Sequence, residues 1–509
     1  MIRKILVANR GEIAVRVIRA CREMGLKAVA VYSDCDRASL HVRYADEAYA
    51  IGANPPGESY LRIDKLIDVA RRSGADAVHP GYGFLAENAD FAHACADADL
   101  TFIGPTPRVI DLMGSKTGAR QAAMTAGVAV VPGIDAPIGP EVPDDRIADM
   151  AARLGYPVLV KAVAGGGGKG MRVASGLAEL PGAIRAARSE ASTSFGDPAI
   201  YLERRLARPR HVEIQLLADA SGTVVPFVER ECSIQRRHQK VLEESPSIAV
   251  SADSRQAIAS AAAAVAREVG YTSAGTIEFL LDEDGQFYFL EMNTRLQVEH
   301  PVTELVTGVD LVQWQIRIAQ GAAVSVAPAR ALVPNGHAIE CRIYAEDPDN
   351  YFLPSPGRVL GLRVPAGPGI RRDDGGVTSG HDVPVFYDPL IAKLSAWGED
   401  RSQATARMAR ALGEYEVRGI KTSIPFFRWL LADSSFREGR FDTTTLDRLL
   451  QTRAGHPFLD ISAEAEEVAL VATALYAFED ARQRPAQAAA GKERASGAWK
   501  IQGRVDALR

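Results

Sequence analysis

The sequence predicts an α/β chain of three or so parts. These are an N-terminal doubly wound parallel sheet, a central mixed domain with a mobile lid, and a C-terminal mixed β/α domain. Three observations carry that expectation. The first hundred residues alternate short apolar runs with amphipathic stretches, the rhythm of a parallel sheet wound with helices. Beyond residue 115 the pattern turns antiparallel, with a hairpin signal at 276–281 and 287–292 around Asp282-Glu283-Asp284-Gly285. A length of 509 residues also exceeds what one ordinary core supports.

In chain order, residues 4–8 read as a strand, 12–24 as a helix and 28–32 as the next strand. Helix is expected at 61–73 and 88–98, strand at 75–79 and 101–103. Gly11 sits at the first strand-to-helix turn without the rest of a G-x-G-x-x-G fingerprint, so dinucleotide binding is not supported. His79-Pro80-Gly81-Tyr82-Gly83-Phe84 follows a strand, where such sheets place ligand-facing loops. The stretch 132–145 is rich in Pro, Asp and Gly and marks a linker or change of layer; 328–334 reads as another boundary. A helix is expected at 401–412 and one Ala/Glu helix at 463–482, before a polar, flexible 484–497. The division is 1–114, 115–327 with a lid at about 132–205, 328–450, and a helical or flexible tail at 451–509.

Bulk properties exclude several classes. A net charge of −5 gives no electrostatic reason to bind nucleic acid or an anionic membrane. Five scattered cysteines without a C-x-x-C pair indicate reduced thiols rather than a disulfide framework or zinc site. The N-terminus lacks a signal peptide's apolar region, and no apolar run reaches the ~20 residues of a membrane helix. A soluble, cytoplasmic protein is expected.

The densest chemistry lies at Glu291-Met292-Asn293-Thr294-Arg295-Leu296-Gln297-Val298-Glu299-His300-Pro301, behind the apolar run 287–290. Polar side chains leaving a buried strand are costly unless a ligand or metal needs them. Along an extended backbone Glu291, Asn293, Arg295 and Gln297 share a face, and Glu299 joins them if the strand continues. With the hairpin tip between Glu283 and Asp284, Glu278 lies opposite position 289 with Glu291 as its diagonal neighbour. Two carboxylates so placed repel unless a cation lies between them, which suggests an oxygen-ligand Mg²⁺ site of Glu278, Glu291 and Asn293.

Lys161 ends an apolar strand and feeds Gly165-Gly166-Gly167-Gly168-Lys169-Gly170, a loop able to approach phosphates closely and to close as a lid. His211, Glu213 and Gln215 alternate onto one face, a pattern equally that of an ordinary half-buried strand. The charged run 229–240 reads equally as a solvated face or an anion-binding wall.

Together these motifs resemble the biotin carboxylase family of the ATP-grasp superfamily, from Ile2 to about Asp447. The carrying strings are Ala8-Asn9-Arg10-Gly11-Glu12-Ile13-Ala14, His79-Pro80-Gly81-Tyr82-Gly83-Phe84-Leu85, Arg210-His211-Val212-Glu213-Ile214-Gln215, Gln235-Arg236-Arg237-His238-Gln239-Lys240 and residues 291–304. The resemblance implies ATP-dependent carboxylation of biotin with bicarbonate through carboxyphosphate. It implies that Lys116, Lys161, Glu203, His211, Gln235 and His238 hold ATP under the lid Gly165–Gly170, with Glu278, Glu291 and Asn293 on Mg²⁺ (or Mn²⁺ in its place). Arg295, Gln297, the Val298 backbone and Lys240 would bind bicarbonate, with Glu299 as its general base. Arg342 would steady the biotin enolate, with Arg295 beside it, and Tyr82 would line that pocket.

Two departures stand out. Relatives often show five glycines and then Arg where this loop has four and Lys169, which is expected to alter lid kinetics. None of the eight methionines is followed by Lys, the acceptor pair of multidomain relatives, so biotin is expected on a separate biotin carboxyl carrier protein. Carboxyltransferase subunits are the other expected partners, with acetyl-CoA as the expected final acceptor and fatty acid biosynthesis the setting. Arg19 and Glu23 match a dimer-interface pair of bacterial relatives and imply a homodimer. Two other readings stay open at this point: an amine-dependent ATP-grasp ligase, and a nucleotide-binding subunit without catalysis.

Overall fold

The structure, a computed structural model, describes residues 2–134, 136–163, 171–453, 455–458, 464–479 and 482, with Phe195 by its backbone alone. Five parallel strands open the chain: β1 (Lys4–Val7), β2 (Lys27–Ser33), β3 (Glu47–Gly52), β4 (Ala77–His79) and β5 (Thr101–Phe102). They lie in the order β3-β2-β1-β4-β5, as the strand–helix rhythm predicts. Helices Gly11–Glu23, Ile63–Ser73 and Ala89–Asp97 fall on the expected stretches. Asn88 caps the third, its side-chain oxygen accepting the Phe91 N–H at 2.7 Å. Of these five strands only the edge strand β3 was not expected, and the short helix Leu40–Tyr44 was not expected either. Most residues of β3 are half-buried, so it carries no continuous apolar run.

A small antiparallel sheet follows, β6 (Val158–Ala162), β7 (Arg172–Ala174) and β8 (Ile200–Arg204), in the order β7-β6-β8. It closes its own core around Ile147, Val158, Val160, Ile184 and Leu202, within the stretch 132–205 expected to form a lid.

The large sheet is antiparallel. It contains β9 (Arg210–Ala218), β10 (Val224–Pro226), β11 (Arg230–Arg236), β12 (Gln239–Ser245), β13 (Ser273–Leu281), β14 (Phe287–Asn293) and β15 (His337–Tyr344). Its order is β14-β13-β9-β11-β12-β15, continuing through strands Leu390–Gly398 and Ile370–Asp374, with β10 beside β9. The boundary expected at 328–334 does not interrupt this sheet. A short helix, Pro328–Leu332, occupies that stretch, and β12 pairs directly with β15 across it.

Residues 1–456 form one compact unit. Residues 457–509 form a second, in which 464–479 are helical, inside the helix expected at 463–482. The polar stretch 484–497 lies outside the described residues. No helix among the described residues is long and apolar enough to cross a membrane.

Candidate active site

Strand register places the charged residues in a row across the large sheet. Glu291 on β14 faces Glu278 on β13, Glu278 faces Glu213 on β9, and Glu213 faces Arg230 on β11. The expected hairpin register is corrected here. Near the turn Leu281 pairs with Phe287 and Phe279 with Phe289, one step from the expected pairing. A β-bulge then leaves Leu290 unpaired and sets Glu278 directly opposite Glu291. Without that extra residue Glu291 would point to the other face of the sheet.

The strand does not continue to residue 299, as the shared-face reading assumed. It ends at Asn293, and a turn delivers Glu299 to the start of helix His300–Thr307. The residues still converge, by chain reversal rather than by alternation.

Lys240 is the hub of the site. Its Nζ lies 2.7 Å from Glu278 Oε1 and 2.8 Å from Glu299 Oε1, and it also holds Glu213 Oε2. Arg230, fully buried, takes the other oxygen of Glu213 and donates to Gln215, Thr276 and Thr303. Arg342 donates from Nη2 to Glu299 Oε2 at 2.9 Å and from Nε to Glu243 Oε1 at 2.7 Å. Burial alone would push Glu299 up. Lys240, Arg342 and Arg230 overcome it and hold the carboxylate well below its usual range.

Arg295 is fixed from three sides: Nε donates to Glu87 at 2.7 Å, Nη1 to Gln297 at 3.0 Å and Nη2 to Asn293 Oδ1 at 3.0 Å. The carbonyl of Val298 accepts from Lys393 Nζ at 2.8 Å. Tyr82 does not line this cavity. Its ring sits 5.8 Å from Lys393 Nζ, the group that donates to the Val298 carbonyl.

The same cavity, about 1050 Å³, continues to Lys116, Lys161, Glu203, His211, Gln235 and His238. Lys161 is buried against Glu203, which also accepts from Arg120 at 3.1 Å. Lys116 donates to the Ala162 carbonyl at 3.1 Å, and burial plus the nearby Lys161 charge lowers its pKa. His211 Nδ1 sits 2.7 Å from Gln235 Nε2, and its Nε2 lies 2.9 Å from Glu278 Oε2. Arg237 and His238 both have positive φ, the two-residue turn that joins β11 to β12 and aims His238 into the cavity. The expected phosphate loop Gly165, Gly166, Gly167, Gly168, Lys169 and Gly170 lies outside the described residues.

The proposed metal ligands separate into engaged and free groups. Glu278 accepts from Lys240, Asn293 and Gln297, and its pKa is driven down by Lys240 and His211 against the cost of burial. The Asn293 oxygen is taken by Arg295. The Glu291 carboxylate makes no hydrogen bond or ion pair to any described residue, and burial and the facing Glu278 charge raise its pKa. Two opposed carboxylates and an amide oxygen, one carboxylate free, fit a hard divalent cation.

Sequence reasoning missed Glu87, Arg120, Glu243 and Lys393 as parts of this site. Each sits in an ordinary-looking loop, helix or strand, and only the three-dimensional register brings it near the cavity.

Comparison with known proteins gives concordant matches. Residues 1–110 match the family described as biotin carboxylase, N-terminal domain, and 340–448 match the biotin carboxylase C-terminal domain. Residues 115–327 match the carbamoyl-phosphate synthase L chain, ATP binding domain. A pyruvate carboxylase subunit of Methanothermobacter thermautotrophicus is 51% identical over 88% of this chain and 90% of that protein. The biotin carboxylase of a Nostoc species is 50% identical over 88% of this chain and 99% of its own length. The biotin carboxylase domain dimer of Hydrogenobacter thermophilus 2-oxoglutarate carboxylase, solved with MgADP, ADP and bicarbonate, superposes with a TM-score of 0.85. It is 46% identical, covering 89% of this chain and 98% of that one.

Proposed function

The chain belongs to the biotin carboxylase family, and on that premise we propose that it carboxylates biotin on a separate carrier protein. ATP and bicarbonate are the co-substrates, and carboxyphosphate is the intermediate. The chain is an ATP-dependent ligase. One observation carries the reaction: Glu299 stands ionised between Lys240 and Arg342, beside the cavity that reaches Lys161 and His211.

An ionised, buried carboxylate can take the proton of bicarbonate once Arg295, Gln297 and the Val298 backbone hold that anion. The freed oxygen then attacks the γ-phosphate, positioned by Lys116, Lys161, His211, Gln235 and His238. Glu278, Glu291 and Asn293 would hold Mg²⁺, which when bound neutralises charge between phosphate oxygens. Lys240 serves both ends, since it touches Glu278 on the metal side and Glu299 on the bicarbonate side. Carboxyphosphate splits into CO₂ and phosphate, the phosphate takes the N1′ proton of biotin, and the resulting enolate, stabilised by Arg342 beside Glu299, captures the CO₂ at N1′.

The division 1–114, 115–327 and 328–450 is supported by the three matched segments. A homodimer is supported by the dimeric Hydrogenobacter relative. Arg19 and Glu23 are both exposed on helix Gly11–Glu23, and Glu23 accepts from Gln313 at 2.9 Å. The final acceptor belongs to a partner carboxyltransferase. We propose acetyl-CoA, in the cytoplasm, although the relatives named above include pyruvate and 2-oxoglutarate carboxylases. Identifying the biotinylated carrier and the transferase that co-purify with the chain tests partner and acceptor together. A transferase specific for pyruvate would overturn the acetyl-CoA assignment.

A further inference from the structure

Behind Arg342 lies a second pair of acids, with no role in the steps above. Glu243 on β12 and Glu340 on β15 are direct cross-strand partners, and both are fully buried. Side chains so paired sit about 5 Å apart at Cβ on one face of the sheet. Each uses one oxygen: Glu243 Oε1 accepts from Arg342 Nε at 2.7 Å, and Glu340 Oε2 accepts from Ser395 Oγ at 2.7 Å. The other oxygen of each, Glu243 Oε2 and Glu340 Oε1, is buried with no hydrogen-bond partner among the described residues. Two facing carboxylates, each with a stranded oxygen, are both satisfied by one proton in a carboxyl–carboxylate hydrogen bond.

The surrounding charges do not remove the need for that proton. On the Glu243 side stand Arg342 and Lys240, against Glu299. On the Glu340 side stand Lys393 and, opposite it, Asp373, with Arg371 across from Ser395. Arg342 is already shared with Glu299, and Lys393 with Glu12, Asp373 and the Val298 carbonyl. His300, on the helix packed over these strands, is kept neutral by burial and the neighbouring cations. Cys341, next to Glu340 in sequence, is held protonated by burial. Burial pushes Glu243 up to about 7 and Glu340 up to about 8.

We propose that Glu243 and Glu340 hold one proton between them, and that this pair positions Arg342 against Glu299 for the carboxylation step. The inference rests on the biotin carboxylase reading above. With the proton in place the pair carries one negative charge, and Arg342 is balanced between Glu243 and Glu299. When the proton leaves to solvent, a second buried charge draws the guanidinium toward Glu243 and away from the cavity. Glu340 and Glu243 are thus positioning residues that never touch substrate.

The test compares wild type with Glu340→Gln, whose amide supplies a permanent donor to Glu243 Oε2. The readout is kcat/KM for biotin in bicarbonate-dependent ATP turnover, from about pH 6 to about pH 9. Wild type should lose roughly tenfold across that range, while Glu340→Gln stays within about threefold of its neutral value. The same alkaline limb in both proteins would overturn the inference.

A second measurement needs neither turnover nor the variant. Infrared difference spectra of wild type should show a protonated-carboxyl band that bleaches between about pH 6 and pH 9. Absence of any such bleach overturns the shared proton. A wild type without bicarbonate-dependent turnover refutes the parent reading and the positioning role with it, while the infrared result still decides the proton.

Discussion

Glu299 is a carboxylate that burial should neutralise, yet neighbouring cations keep it charged. Replacing it with Gln keeps the shape and removes the base. Glu299→Gln should therefore bind ATP normally and lose at least about a hundredfold in bicarbonate-dependent turnover. Glu87 was not legible in the sequence, because nothing in its loop singles out one acid. The structure shows it holding Arg295 and the Thr294 N–H. Glu87→Gln should raise the KM for bicarbonate by roughly tenfold while moving the KM for ATP little. The low pKa values of Glu278 and Glu299 also set the acid stability. A depressed folded-state pKa contributes stability that is present above the ordinary carboxylate value of about 4.3 and lost as pH falls below it. Thermal melts should show the wild type losing more than Glu299→Gln between about pH 5 and pH 3. An equal loss would mean the ionised Glu299 adds nothing to the fold. At this scale the two carboxylates and the one arginine of 291–299 were readable because polar side chains leaving an apolar strand need a reason. Lys240 was legible only through the family resemblance, and the contacts to Glu213 and Glu243 were not, since these residues become neighbours only through pairing between strands distant in sequence.

The hairpin β13–β14 shows what the pattern can and cannot give at the scale of elements. Two apolar runs around an Asp/Gly turn located the hairpin, but a turn one residue longer or shorter shifts every pair. The bulge at Leu290, invisible in composition, decides the face on which Glu291 lies. With no cation bound, opposed Glu278 and Glu291 are a liability. Glu291→Gln should stabilise the metal-free protein by about 0.5 kcal/mol in denaturant titrations and abolish Mg²⁺-dependent ATP turnover. A variant that is less stable and still active would remove Glu291 from the metal site. The strands and helices of the first hundred residues were legible because buried strands and amphipathic helices differ in period. β3 escaped because an edge strand that is half-exposed has no such signature.

At the scale of the molecule, one sheet joins strands from the regions matched by the ATP-binding and C-terminal families, through the β12–β15 pair. Cutting near 328–334, the boundary that proline content suggested, should therefore yield insoluble halves rather than two folded domains. Cutting after residue 456, at the edge of the compact unit, should leave a soluble protein with full activity on free biotin. Recovery of two folded halves from the first cut would show that the shared sheet is dispensable. The central claim is that bicarbonate oxygen attacks the γ-phosphate under the control of Glu299. Turnover with heavy-oxygen-labelled bicarbonate tests it most directly. The mechanism predicts that inorganic phosphate released in the presence of biotin carries one labelled oxygen, and that Glu299→Gln releases almost none. Phosphate free of label from the wild type would mean that water is the nucleophile, and would contradict the carboxyphosphate route.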